Sequence, residues 1–244
     1  MAGKPERFIV VADSHGDMID TKTEAALFEF MQYWKPKHRL HLGDAWDFRW
    51  LRGAASDDDK MDQNLERDFD AGVAFIKRFN PTVFLCGNHD WRVRKGMDSP
   101  NKAKSRLCSM LWQDMADAIP CEMQPYDKRK GAYKFGDTTC IHGYAHGIGS
   151  VRKQTMLYGR CWIGHTHHIE CTTVERFDCA EGRAIGSLCR VDMGYNEAQL
   201  TTLRQQNGWL YGFLWPNGLT QAWQAEKSPS GTFYLPSEMR EVAA

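Results

Sequence analysis

The stretch FIVVADSHG, Phe8 to Gly16, opens with an unbroken, largely β-branched apolar run and stops abruptly on Asp13 and His15. A short continuous run of this kind predicts a strand buried on both faces, as in a parallel sheet covered by helices. The polar residues at its end are then the first of a pattern that repeats along the chain.

Outward from this stretch, Leu27, Phe30, Met31 and Trp34 recur at helical spacing in TKTEAALFEFMQYW, with Pro36 as the stop. HRLHLGD (His38–Asp44) reads as a second strand. DQNLERDFDAGVAFIKRF (Asp62–Phe79) reads as a second helix with Leu65, Phe69, Val73 and Ile76 on its inner face. TVFLC, ending at Cys86, is a third strand. This β-α-β-α-β alternation predicts parallel pairing. A helix over Asn101–Ala118 follows, aligning Leu107, Leu111 and Met115. GAYKFGDTTCIHG reads as a hairpin turning at Gly136-Asp137, Val151–Tyr158 as a short helix, and RCWIG as a strand. The later segments IECTTVERF, GRAIGSLCRV, GWLYGFLW, LTQAWQAE and GTFYLP are short and β-rich, with Asn217-Gly218 as a hairpin turn. The expectation is one domain over 1–244, with a motif core at 8–189 and closing strands at 190–236, parallel in its first half and antiparallel in its second.

Composition narrows the classes. The 244 residues carry 31 basic and 31 acidic side chains, so no global field announces nucleic acid or an anionic membrane. No apolar run approaches the ~20 residues of a membrane span, and the N-terminal run is too short for a secretory signal. The eight cysteines form no Cys-x-x-Cys pair, and several, such as Cys86 and Cys140, sit inside apolar runs as reduced thiols do. A cytoplasmic protein without membrane contact is expected.

The chemistry collects at strand ends. They read ADSHG (Asp13, His15), GDAWD (Asp44, Asp47), GNHD (Asn88, His89, Asp90), IHG (His142) and GHTH (His165, His167). In open α/β sheets ligands bind at the carboxyl ends of strands, so these side chains should meet in one crevice. Residues i and i+2 of an extended segment face the same way, which would pair Asp13 with His15 and His165 with His167 and turn His168 aside. Carboxylate, imidazole and one amide oxygen suit manganese, iron, zinc or cobalt. No thiolate stands at these ends, which argues against a structural zinc site. Asp13, His15, Asp44, Asn88, His142, His165 and His167 are too many for one ion, and two divalent ions sharing a carboxylate would use them all.

These five blocks, in this order over Phe8–Cys189, resemble the calcineurin-like metallophosphoesterases. The resemblance implies a four-layer α/β-β-α sandwich of two mixed sheets flanked by helices. It also implies hydrolysis of a phosphodiester or phosphomonoester by a hydroxide activated between two metal ions, manganese foremost. It places one ion on Asp13, His15 and His167, the other on Asn88, His142 and His165, and Asp44 between them. His89 is implied beside the leaving group as its acid, with Asp90 to orient it. The tail resembles small members from bacteria and their phages, which implies the cytoplasm of a bacterial host or phage-infected cell.

Where the family's protein phosphatases continue with Arg-Gly after the second acid, this chain reads DFRW, which leaves the role of Asp47 open and weakens a phosphoserine reading. Arg49 or Arg52 could still reach phosphate. Arg92 and Arg94 are the candidate substrate-binding cations, while Lys102, Lys104 and Arg106 read as a solvated helix face. Asp57–Asp59 reads as a solvated loop, His146 as a loop histidine, and His38 and His41 as packing or surface residues. The expected partner is a nucleotide or other small phosphoester. The alternatives are a nuclease acting on single-stranded or flexible nucleic acid and, from another class, a non-catalytic scaffold of the same fold. Scaffold members tend to lose ligands and the acid histidine, and none is missing here.

Overall fold

In the computed structural model, residues 3–51, 65–178, 180–191 and 200–233 are described. Arg52, Asp57–Asp59 and the end of GTFYLP lie outside them.

The apolar run becomes β1 (Glu6–Val11), and it is buried on both sides as its composition demands. Phe8, Val10 and Ala12 face a second sheet, while Ile9 and Val11 face helices. Beside it lie β2 (His38–His41) and β3 (Val83–Leu85), both parallel, and then β4 (Met123–Gln124), a two-residue edge strand that the sequence pattern does not reveal. On the other side of β1 the hairpin of β10 (Gly208–Leu214) and β11 (Thr220–Glu226) pairs antiparallel, completing a six-stranded sheet ordered β11-β10-β1-β2-β3-β4.

The second sheet runs β5-β6-β7-β9-β8, from β5 (Tyr133–Phe135), β6 (Thr138–Ile141), β7 (Cys161–Ile163), β8 (Ile169–Thr173) and β9 (Glu181–Ile185). The mostly parallel first half is found, but the expected antiparallel second half holds only in part. β6, β7 and β9 pair parallel, and the last hairpin joins the first sheet. The reason is that strand pairing is chosen by which buried faces meet, a long-range matter that local pattern does not carry.

Helices close both outer faces. Over the first sheet lie α1 (Thr21–Trp34), α2 (Leu65–Phe79) and α4 (Lys102–Ala118), packing Leu27, Phe30, Trp34, Phe75, Ile76, Phe79, Leu111 and Met115 against β1, β3 and β10. Asp20 caps α1 by accepting from Thr23 N at 2.7 Å, and Asn101 caps α4 through Ala103 N and Lys104 N. Each such cap stabilises by about 1 kcal/mol. In α2 the deepest positions are Asp68, Gly72, Phe75, Ile76 and Phe79, so the buried stripe is rotated from the expected one, and Leu65, Phe69 and Val73 lie at its margin. The second sheet is covered by α5 (Ser150–Tyr158), whose Val151 packs on Ile141, Cys161 and Ile163. Between the sheets Phe8, Val10, Leu40 and Leu85 meet Phe135, Cys140, Trp162 and Ile185. The result is the four-layer α/β-β-α sandwich of two mixed sheets. Among the described residues no helix is long and apolar enough to cross a membrane.

Candidate metal centre

Beyond their last ladder bonds, β1 and β2 continue side by side: Asp13 N donates to Gly43 O, His15 N to Asp44 O and Gly16 N to Ala45 O, all within 3.0 Å. They do so with left-handed residues. Asp13, His15, Asp44, His165 and His167 have φ of 56°, 52°, 54°, 67° and 55°. This corrects the expected reason for their convergence. Each pair turns inward through isolated left-handed residues and not by the alternation of an extended strand. Asp and His tolerate that region better than most side chains, yet it still costs on the order of 1–3 kcal/mol per residue. Five such residues at one crevice are strain concentrated where the side chains meet.

The two central carboxylates divide their oxygens between structure and cavity. Asp13 Oδ2 accepts from His165 N at 2.8 Å, and Asp44 Oδ1 from His89 N at 2.8 Å. Each acid thereby fixes the loop that carries the next histidine. Their other oxygens face inward. Asp44 Oδ2 lies 3.2 Å from His142 Nε2, 3.8 Å from His89 Nε2 and 4.0 Å from His15 Nε2. Asp13 Oδ1 lies 3.3 Å from His167 Nε2 and 3.8 Å from His15 Nε2, buried and with no hydrogen bond of its own. The close approach needs Gly87, where a Cβ would stand 2.0 Å from Asp44 Oδ1.

The imidazoles turn one nitrogen inward and anchor the other. His15 Nδ1 meets Asp47 Oδ1 at 3.2 Å, His142 Nδ1 donates to Leu42 O at 2.8 Å, and His167 Nδ1 lies 3.6 Å from Cys189 Sγ. Outer partners of this kind fix the tautomer and raise the basicity of the inner nitrogen. Inside, His15 Nε2 and His167 Nε2 stand 3.1 Å apart, and Asn88 Oδ1 is 3.1 Å from His142 Nε2. The donor atoms fall into overlapping clusters: His15, His167 and Cys189; His15, Asp44 and His89; and Asp44, His142 and His165. Ligands ~2.0–2.2 Å from a common ion stand about 3 Å apart, which is the spacing seen. An orphaned carboxylate oxygen facing imidazole nitrogens fits a divalent cation.

The buried charges act on one another. Burial opposes ionisation of Asp44, but His142 and His89 outweigh it and hold the carboxyl well below its ordinary value. Burial likewise opposes a charge on His142, yet Asp44 raises it to about 9. His165 is driven down to about 3 by burial and by His142.

Around this centre, His89 Nδ1 lies 2.8 Å from Asp47 Oδ1, and Arg92 Nη1 donates to Asp47 O at 3.0 Å. Asp47, left open by the sequence, is therefore the buried acid shared by His15 and His89. Burial would raise its pKa, but the hydrogen bonds from His15 and His89 hold it well below the carboxylate range. Asp90 does not take the expected place beside the His89 ring. Its carboxylate accepts instead from Asp44 N, Ala45 N, Trp46 N and Gly87 N, at 2.8–3.3 Å, and so ties the second and third strand ends together. Arg94 points away and pairs with Asp98 one helical turn on in α3 (Asp90–Gly96) and beyond, at 3.0 Å, so the structure does not bring it to the centre. Arg49 is spent on Asp17, at 2.7 and 2.8 Å, and on Asp47. Lys102, Lys104 and Arg106 lie on the exposed face of α4. His168 turns to Glu170, His38 to Glu6, and His41 is buried on Phe84.

Three neighbours escape sequence reading. Cys189, after β9 and outside the five motif blocks, brings a thiol to the outer nitrogen of His167. His146 reaches His165, its Nδ1 2.9 Å from His165 Nε2, although it reads as a loop residue. Asp68 accepts from Asp47 N and Phe48 N at 3.1 and 2.7 Å, and Gly16 is bare at this point because a Cβ would lie 1.9 Å from Asp68 Oδ1. Burial pushes Asp68 up to about 7 against those two N–H groups.

No family model matches the sequence, and no curated protein matches it. Among solved structures the chain is similar to a metallophosphoesterase from Sphaerobacter thermophilus, at 14% identity over 92% of this chain and 89% of that one with a TM-score of 0.49. It is also similar to an archaeal phosphodiesterase (13%, 89% and 99%, TM-score 0.43) and to Vps29 from Chaetomium thermophilum (10%, 94% and 92%, TM-score 0.47).

Proposed function

We propose that the protein is a metal-dependent phosphoesterase of the calcineurin-like type. The observation that carries this is the pair of inward carboxylate oxygens, Asp13 Oδ1 and Asp44 Oδ2, held by left-handed backbone among imidazole nitrogens about 3–4 Å away. Asp13, His15 and His167 would hold one divalent cation, Asn88, His142 and His165 a second, and Asp44 would serve both. When bound, such cations supply a water acidic enough to lose its proton near neutral pH and positive charge for the phosphoryl oxygens.

The chain's own residues do the rest. His89 turns Nε2 toward the cavity and sets Nδ1 against Asp47, so a proton on Nε2 can pass to the oxygen that leaves phosphorus. Asp47 holds the ring in that orientation. Arg92, beside His89, adds positive charge for a phosphoryl oxygen.

The test is hydrolysis of bis(p-nitrophenyl) phosphate with manganese, alongside the monoester p-nitrophenyl phosphate. Turnover that disappears with chelator and returns with manganese supports the reading, and the ratio of the two rates assigns diesterase or phosphatase. Tight metal binding without turnover of either ester would point to a scaffold and overturn it.

A further inference from the structure

The turn Asp127-Lys128-Arg129-Lys130 places three successive cations on the surface, all exposed and none within ion-pair distance of an acid among the described residues. It leaves the carboxyl end of β4, which runs parallel to β3, the strand that leads to Asn88. Adjacent strands lie about 4.8 Å apart, so the turn stands on the same rim as the metal centre, on the Asn88 and His142 side.

Like charges in sequence repel, and a loop left to itself would splay them. This loop is fastened. Asp127 Oδ1 accepts from Arg129 N and Lys130 N, both at 2.8 Å. Gly131 N closes the turn on Asp127 O, and the glycine is needed because a Cβ would lie 2.2 Å from Pro125 O. Tyr144 donates its hydroxyl to Asp127 O at 2.7 Å, and Tyr158 of α5 donates to Lys128 O at 2.8 Å. Tyr126, directly before the turn, donates to Gly143 O and sets its ring edge-on to His142 with centroids 5.7 Å apart. Tyr126 and Tyr144 are half-buried with centroids 5.1 Å apart, and Tyr144 stands two residues before His146, which touches His165. A row of aromatic rings thus joins the metal centre to a rigid basic turn. Backbone phosphates on cations beside bases on aromatic faces are how single strands are gripped.

Resting on the phosphoesterase reading, we infer that the substrate is a single-stranded oligonucleotide, with the phosphates flanking the reacting one carried across Tyr126 and Tyr144 to Lys128, Arg129 and Lys130. The neutral whole-chain charge makes this a local grip and not a general affinity for polyanions.

The test uses the full-length chain and a variant, K128Q/R129Q/K130Q, with a fluorescent oligodeoxythymidylate of about a dozen nucleotides. For single strands each neutralised phosphate contributes about 0.7 to the slope of log K against log salt. Loss of three contacts should reduce the magnitude of that slope by about 2, and K128R/R129K/K130R should keep it. Oligonucleotide kcat/KM at low salt should fall on the order of tenfold, as expected for lost steering, while bis(p-nitrophenyl) phosphate turnover stays within about twofold. An unchanged slope, or an equal loss on both substrates, would overturn the inference. Should the wild-type protein cleave neither ester yet show the expected change in slope, the phosphoesterase reading fails and the strand-binding surface stands.

Discussion

The two halves of the proposed metal centre are built differently. Asp13, His15 and His167 are 0%, 0% and 8% exposed, and buried groups support both rings from behind: Asp47 on His15 and Cys189 on His167. In the other half His142 is buried as well, but Asn88 and His165 are partly exposed, and the residue against His165 is His146, on an exposed loop. The first half is a preformed pocket that water enters with difficulty. The second is the more open side, and Tyr126 joins it to the basic turn. A site with one sheltered and one open side can retain one cation firmly while the other side meets substrate. The comparison predicts unequal metal affinities and a substrate that approaches from the Asn88 side.

The most damaging way to break the comparison is to remove what the halves share. Asp44 Oδ2 faces His142, His89 and His15, while its Oδ1 anchors the backbone of His89. We expect D44N to weaken both metal-binding steps and to lower kcat by at least about 10³-fold, since charge stabilisation at such sites is the largest catalytic term. Metal content after gel filtration and diesterase turnover measure it. Two retained ions with near-wild-type turnover would mean that the halves are independent sites.

Next in size is H89N. The ring packs against His15, with centroids 4.6 Å apart, and its inner nitrogen lies 3.8 Å from Asp44 Oδ2. Loss of a general acid costs ~10²–10⁴-fold in kcat, and metal content should be unchanged. If the metal leaves with the ring, His89 is a ligand. D47N should reproduce a smaller part of the loss by freeing the ring, and D90N should act by a different route, loosening the backbone of Asp44 to Trp46 and lowering the melting temperature. A D90N variant with wild-type stability and a D47N-like rate would restore Asp90 to the role expected of it.

A third comparison separates the halves directly. In a manganese titration by calorimetry the wild-type protein should show a tighter and a weaker step. H167A should abolish the tighter one and H165A the weaker. The reverse order would mean that burial here hinders ligation more than it preorganises it.

Much of this centre is legible in the sequence because its chemistry and its position coincide. Asp13, Asp44, Asn88, His142 and His165 each stand just past an apolar run, and a parallel sheet gathers such ends at one edge. What could not be read is whatever depends on the path of the backbone between those ends. The left-handed turns at Asp13, His15 and His167 are selected by pairing between loops, and alternation was the wrong rule for them. Asp68 looks like any helical acid until α2 is docked and its carboxylate meets Asp47 and Phe48. Asp90 looks like the partner of its neighbour His89, but a helix start turns successive side chains about 100° apart, and the partner, Asp47, comes from the loop after β2 instead. The three tyrosines around Asp127 come from separate segments and meet only through the second sheet.

The smallest expected effect sharpens the comparison most, because it concerns the one supporting group that could itself be a ligand. Cys189 Sγ is buried 3.6 Å from His167 Nδ1, on the side of the ring away from Asp13. If it only orients the ring, C189S should behave nearly as wild type, since a hydroxyl can hydrogen-bond the same nitrogen. C189A should weaken the tighter step by about tenfold, the lower end of what outer partners of metal-bound histidines contribute, and leave the weaker step and the His165 side alone. If the sulfur is a ligand, C189A should remove the tighter step as completely as H167A does, and the thiol should become resistant to alkylation once metal is added. The buried half would then favour zinc over manganese, because thiolate prefers the softer ion, and the difference between the halves would be one of metal identity as well as of shelter.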